Sequence, residues 1–303
     1  PPPGKPVALP FLQMLTYSSP VTEISKRRLR RILQIGFPMM ISHASESVML
    51  FVDRLFLSRV SKVHLAAAMG GGVTNFMLMS LFVGIVGYVN AIVGQYYGSG
   101  QKDRCIVATV QSVYLSFAAF PVILLFLPLT RVFFQLFGLE AEQVELANTY
   151  LRILLSGSVM FILRNALTGF FAGIGQTRIV MAANLTAMIV NVPANYLLIF
   201  GAFGLPAMGM AGAAIGTLCG HFAALLMLGT AFLTRAKSLE FRGERQWRIE
   251  PGLVKKLLRF GGPAGIEAIL NVAAFNFFVQ MMHSYGPDVA AAVTIAFNWD
   301  LVV

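Results

Sequence analysis

From Ile179 to Thr234 the chain runs for 56 residues without an Asp, Glu, Lys or Arg. A bilayer core is crossed by about 20 apolar helical residues, so this stretch holds two membrane spans. A single break, Gly201-Ala-Phe-Gly-Leu-Pro-Ala-Met-Gly209, supplies the turn between them. Backbone polar groups in lipid must be satisfied within the segment, which selects helix. The expected fold class is therefore an all-α membrane protein. Inside the first of the two spans sit Asn191 and Asn195, with Pro193 between them. Polar side chains at that depth are costly and face a bundle interior or a cavity.

Composition agrees. Charged residues make up 12% of the chain, against roughly 25% in soluble domains. The net charge of +10 does not indicate a nucleic-acid partner, because the basic residues fall between spans. Spans are expected near 32–58, 66–97, 105–128, 144–171, 179–200, 209–233 and 254–284, with an eighth from 289 onward. With the N-terminus inside, sixteen Lys and Arg lie on the inner side and three, Arg59, Lys62 and Arg131, on the outer. The positive-inside rule then places the N-terminus in the cytoplasm and the chain in a plasma (inner) membrane. Residues 1–25 are Pro-rich and expected to be disordered. The chain opens on Pro1 rather than Met, so its natural start is expected to lie elsewhere, and no charged region marks a signal peptide. Cys105 and Cys219 give neither a disulfide framework nor a metal spacing.

The chain also repeats itself. Phe37-Pro38 opens the first span and Gly262-Pro263 the seventh; His64-Leu-Ala-Ala-Ala-Met69 follows the first and Asp288-Val-Ala-Ala-Ala-Val293 the seventh. Internal repeats of this kind occur in transporters. Six spans separate the copies, so one copy of about 225 residues is expected to be whole and a second to stop at Val303. The expected organisation is a first lobe over 26–234, a cytoplasmic linker over 235–252, and the start of a second lobe over 253–303.

Polar residues in the spans are the candidates for chemistry. His43, Glu46, Leu50 and Asp53 are spaced three, four and three apart, which places them on one helical stripe. Desolvation favours the protonated form of a buried carboxylate and a bound cation favours the ionised form, so at Asp53 a proton and Na⁺ can compete. Neutralisation by Arg54, Arg152 or Arg164 is the other reading of both carboxylates. Asn191 and Asn195 share a face, and Pro193 frees a backbone carbonyl nearby. Such oxygens suit alkali cations, although interhelical hydrogen bonding accounts for an Asn pair as well. Thr217 lies in Gly212-Ala-Ala-Ile-Gly-Thr217, a small-residue run suited to close helix packing. Glu267 sits early in the seventh span. No phosphate loop, H-E-x-x-H or G-x-S-x-G sequence is present.

Taken in order, several short segments resemble the multidrug and toxic compound extrusion (MATE) family. They are Phe37-Pro38 and Val52-Asp53, Leu65-Ala-Ala67, Gly94-Gln-Tyr-Tyr-Gly-Ser-Gly100 and Phe171-Ala-Gly-Ile-Gly-Gln-Thr177. After these come Asn184, Asn191 and Asn195, then the Gly201–Gly209 turn, Gly212-Ala-Ala and Thr217. Asn at both 191 and 195 is more similar to the NorM branch than to the DinF branch. The resemblance implies a six-helix first lobe plus the first one to two helices of a second, in a C-terminally truncated chain. It implies a monomeric antiporter, not an enzyme, that needs no cofactor. By alternating access it would export amphipathic, cationic drugs against inward Na⁺ or H⁺. Carried over by position, Asp53, Asn191, Asn195 and Thr217 would bind the coupling ion, with Glu46, His43 and Glu267 as proton or substrate contacts. Two rivals stand beside this reading. One is a flippase for a lipid-linked oligosaccharide, using Arg54, Arg152 and Arg164 on a pyrophosphate. The other is a truncated assembly partner that transports nothing.

Overall fold

The structure, a computed structural model, describes residues 20–238 and 247–300. Its helices are α1 (Pro20–Val60), α2 (Lys62–Gly87), α3 (Val89–Gly98), α4 (Lys102–Leu124), α5 (Thr130–Leu136) and α6 (Ala141–Ser156). They continue as α7 (Ser158–Gly173), α8 (Thr177–Phe200), α9 (Gly209–Ser238), α10 (Pro251–His283) and α11 (Pro287–Asp300). No strand occurs among the described residues. The stretch expected to be disordered over 1–25 falls outside the described residues up to 19, and α1 begins at Pro20.

Six segments are long and apolar enough to cross a membrane, and the α6–α7 pair makes a seventh if its two halves count as one span. Within these spans the structure adds breaks that hydropathy does not register. The 37-residue segment Lys62–Gly98 is interrupted at Tyr88, and α6 and α7 meet at a 52° bend at Gly157. The expected third span continues past α4 through a 3₁₀ turn at Leu127–Leu129 into α5. α2 is started by Ser61, whose hydroxyl accepts from the His64 amide at 3.1 Å and so satisfies one of the free amides of a helix N-terminus.

α8 ends at Gly201 in the left-handed region, φ 72°. A Cβ there would come within 2.8 Å of the Leu205 carbonyl and 2.6 Å of the Ala207 amide. Only glycine fits a turn this tight, and the Met208 amide closes it on the Leu198 carbonyl at 2.9 Å. The turn returns α9 antiparallel along α8. The two helices approach closely at Gly216, where a Cβ would collide with Asn195.

The apolar interior is divided in two. One cluster holds Val93, Ile106, Phe170, Phe171, Ala187, Phe232 and Leu257. The other holds Leu57, Phe134, Leu151, Ile162, Ile199 and Met210. Along α8, Asn191 and Asn195 lie between Ala187 of the first cluster and Ile199 of the second.

α10 is laid against this bundle chiefly on α2. Their backbones touch at Gly84 and Gly265, where a Cβ on either would strike the other helix. Further along the crossing, the Thr74 hydroxyl, which donates to the Gly70 carbonyl at 2.8 Å, lies 3.2 Å from Asn276 Oδ1, and Gln280 donates to the same Gly70 carbonyl at 3.2 Å. Lys62 donates to Asp288 at 2.7 Å. At the start of α10, Arg104 donates twice to Glu250, both at 2.8 Å. Gln111 donates to the Arg248 carbonyl and accepts from the Glu250 amide, each at 3.0 Å.

Candidate functional site

Asp53 is 5% exposed, Thr217 8%, and Asn191 and Asn195 are fully buried. They come from α1, α8 and α9 and converge on one point. The Asn195 amide donates to Asp53 Oδ1 and, at 3.3 Å, to Asn191 Oδ1. Asn191 in turn donates to Thr217 Oγ1 at 3.5 Å. A four-residue spacing puts both Asn on one face of α8, and the glycine at 216 lets α9 bring Thr217 up to them.

Two oxygens in this group have unused capacity. Asn195 Oδ1 is buried and has no hydrogen-bond partner among the described residues. Thr217 Oγ1 lies 3.4 Å from Asp53 Oδ2, but it also lies 2.9 Å from the Ala213 carbonyl. A hydroxyl has one hydrogen, and the shorter contact takes it. A Thr217 lone pair therefore faces a carboxylate oxygen, an arrangement that a proton or a cation relieves. The donor set is one carboxylate, two amides and a hydroxyl. Hard oxygen ligands with a single formal charge suit an alkali cation. Among the described residues no group of three or more His, Cys, Asp or Glu could hold a metal ion. Arg54, next to it in the chain, acts electrostatically on Asp53.

Two turns along α1, about 10 Å away by helical rise, is a second polar group. Glu46 accepts from Arg164 and from Asn184, the latter at 3.3 Å. Arg164 also donates to Asn184 Oδ1 at 3.1 Å and to His221 Nδ1 at 2.9 Å. Arg164 is 6% exposed. His43 stands 4.0 Å from the other Glu46 oxygen and is largely exposed. Glu267 is exposed on α10, outside both groups.

The structure thus brings together the four residues expected around the coupling ion. It assigns Glu46 to an ion pair and separates Glu267 from both. Arg164 and His221 were not expected as partners of one another. Their sequence signal is spacing: Asn184 precedes Asn191 by seven residues and His221 follows Thr217 by four, so each extends an existing polar face.

Residues 38–197 match the family model MatE. The probable multidrug resistance protein NorM of Shewanella oneidensis is 27% identical over 276 residues, covering 90% of this chain and 60% of the relative. The protein of the same description in Bacillus anthracis is 28% identical over 280 residues, covering 92% and 62%. The chain therefore spans about 60% of the length of the relatives it matches. Solved structures share the fold. A MOP superfamily transporter from Pyrococcus furiosus superposes with a TM-score of 0.77 at 22% identity, covering 90% of this chain and 60% of its own. A multidrug resistance MATE family transporter matches in its inward-facing conformation at 0.75, with 22% identity over 88% of this chain and 60% of its own. A structure of a multidrug resistance MATE family transporter in an outward-facing conformation scores 0.74, with 20% identity over 90% of this chain and 63% of its own.

Proposed function

Since this chain belongs to the MatE family of membrane transporters, we propose that it forms the ion-coupling part of a multidrug exporter driven by inward Na⁺ or H⁺. The observation that carries this reading is the convergence of Asp53, Asn191, Asn195 and Thr217 from three helices at a buried point.

The chemistry follows from the geometry. With Asp53 ionised, the Asn195 amide donates to it. A cation at Asp53 repels that N–H, and the amide then gains by turning its unpartnered oxygen toward the ion. Protonating Asp53 likewise converts an acceptor-only group into a donor and favours the same rotation. Either event changes what α8 and α9 present to α1. An ion that interacts differently with two packings shifts the balance between them, and by linkage the substrate that prefers the other packing is released. The substrates proposed are amphipathic organic cations, the domains are a first lobe over 26–234, a linker over 235–252 and the start of a second lobe over 253–303, and the full-length protein acts as a monomer in an inner membrane with its N-terminus cytoplasmic.

The flippase reading is weaker, because it needs Arg164 available for a pyrophosphate and that guanidinium is bound to Glu46, Asn184 and His221. The test is efflux of a fluorescent organic cation from cells carrying the full-length protein, with Na⁺ and proton gradients collapsed in turn. Efflux indifferent to both gradients would refute coupling.

A further inference from the structure

Between α1, where its apolar span begins, and the start of α8, a groove of about 760 Å³ opens. Leu33, Phe37 and Ile41, one turn apart on α1, and Met181 on α8 give it an apolar wall. Arg30 and Arg178 stand at its terminal end, one on each helix, both exposed. Leu33 and Phe37 are 56% and 60% exposed, as apolar side chains within a span that faces acyl chains are. Among the described residues neither guanidinium is in an ion pair, and no residue lining the groove is acidic.

We infer that this groove binds an anionic phospholipid, its phosphate held between Arg30 and Arg178 and an acyl chain laid along Leu33, Phe37 and Ile41. The order of residues along the helices matches the order of parts in a lipid. Arg30 stands just before the apolar span of α1, which begins at Ile32, and Arg178 in the first turn of α8, at headgroup depth, and the apolar side chains of α1 follow one, two and three turns deeper. Guanidinium forks match phosphate oxygens in geometry as well as charge, and basic pockets between spans on the cytoplasmic side are a known mode of headgroup binding. A zwitterionic lipid brings its own ammonium to the same place and cancels much of the attraction. A second groove with apolar and basic lining lies at the start of α10, on the same side by span count. There a groove of about 540 Å³ is lined by Ile249, Val254 and Leu258 with Lys255 and Arg259. Placement in the cytoplasmic leaflet rests on the orientation proposed above; binding itself does not.

The test is native mass spectrometry of the purified chain in neutral detergent, with phosphatidylglycerol and phosphatidylcholine of identical acyl chains. The wild type should retain phosphatidylglycerol preferentially. Arg30→Gln with Arg178→Gln should weaken that retention roughly thirtyfold, at about 1 kcal/mol for each arginine. Arg30→Lys with Arg178→Lys keeps the charge but not the fork and should lose less than the Gln pair, which separates lost binding from lost folding. Inorganic phosphate at equal concentration should not displace the lipid, because the apolar wall holds the chain. Equal retention of both lipids, or phosphatidylglycerol retained unchanged by the double Gln variant, would overturn the inference. The assay reads neither leaflet nor transport, so its failure would leave the exporter and its orientation standing.

Discussion

Asn195 donates its side-chain amide to the carboxylate of Asp53, 142 residues earlier in the chain. The bond joins α8 to α1 at a point buried between two apolar clusters. It also leaves Asn195 Oδ1 without a partner among the described residues, although a buried polar atom usually finds one. An amide with one end engaged and the other idle is poised to turn over when the carboxylate changes state.

Asp53→Asn removes both the titratable group and the charge partner of a cation. Export by the full-length protein should fall to background while insertion is retained, since a neutral side chain is cheaper to bury in the membrane. Efflux and membrane abundance measured together decide it. A full-strength exporter with this substitution would remove Asp53 from the coupling role.

Asn195→Ala deletes one neutral ligand and leaves the charge. The half-saturating ion concentration should rise roughly tenfold, as befits a hydrogen-bonded group worth about 1.5 kcal/mol next to a charge. The maximal rate at saturating ion should change less. A titration of efflux against external Na⁺ and pH would reveal no shift if Asn195 only ties helices together.

Gly216→Ala places a methyl group on the Asn195 amide and within 3.0 Å of its backbone nitrogen. Overpacking should cost about 1–3 kcal/mol and reproduce the ion-affinity loss of Asn195→Ala. Gly229→Ala is the control, because a Cβ at 229 meets nothing within 4 Å. It should be neutral or stabilise by up to about 1 kcal/mol through helix propensity. Melting curves of the two variants in detergent would contradict the packing account if they coincided.

Arg164→Ala strands Glu46 and unpairs Asn184 and His221. Because Glu46 is 38% exposed, the loss should be about 2 kcal/mol, less than the 3–5 kcal/mol typical of a fully buried pair. Adding Glu46→Gln should recover part of it, since the uncompensated charge is then gone. Additive losses in the double variant would show that the two residues do not act as a pair.

A reporter inserted between α9 and α10, in the basic stretch 235–252, should behave as cytoplasmic. The sixteen-to-three bias in Lys and Arg between the two sides drives that expectation. Periplasmic activity of the reporter would reverse the orientation.

The spans were legible because hydropathy is a local property: each needs only its own run of apolar residues to be recognised. The breaks were not. The interruption at Tyr88 and the bend at Gly157 leave the apolar run unbroken; the bend falls in Ser156-Gly157-Ser158, small residues that kink helices but that hydropathy does not register, and Leu218 packs against Gly157 there. The stripe His43, Glu46, Leu50, Asp53 was visible from spacing, yet spacing treated Glu46 and Asp53 alike. In the fold they have different fates. Glu46 is hydrogen-bonded by a guanidinium, whereas Asp53 is hydrogen-bonded by an amide and faces a hydroxyl, with Arg54 acting on it through charge.

By itself the sequence determined that this chain is a bundle of membrane helices, which polar residues lie within the spans, and how those residues repeat along each helix. These follow from transfer free energies and helical period, both properties of single segments. The tertiary structure alone decided which of those residues meet. Asp53, Asn195 and Thr217 are far apart in sequence, and they become one site only because Gly201 folds α9 back along α8 and Gly216 lets the two helices close to backbone contact. Which partner reaches a buried carboxylate first, an arginine or an amide, is set by that packing, and with it whether the carboxylate serves as a fixed strut or as a place for an ion.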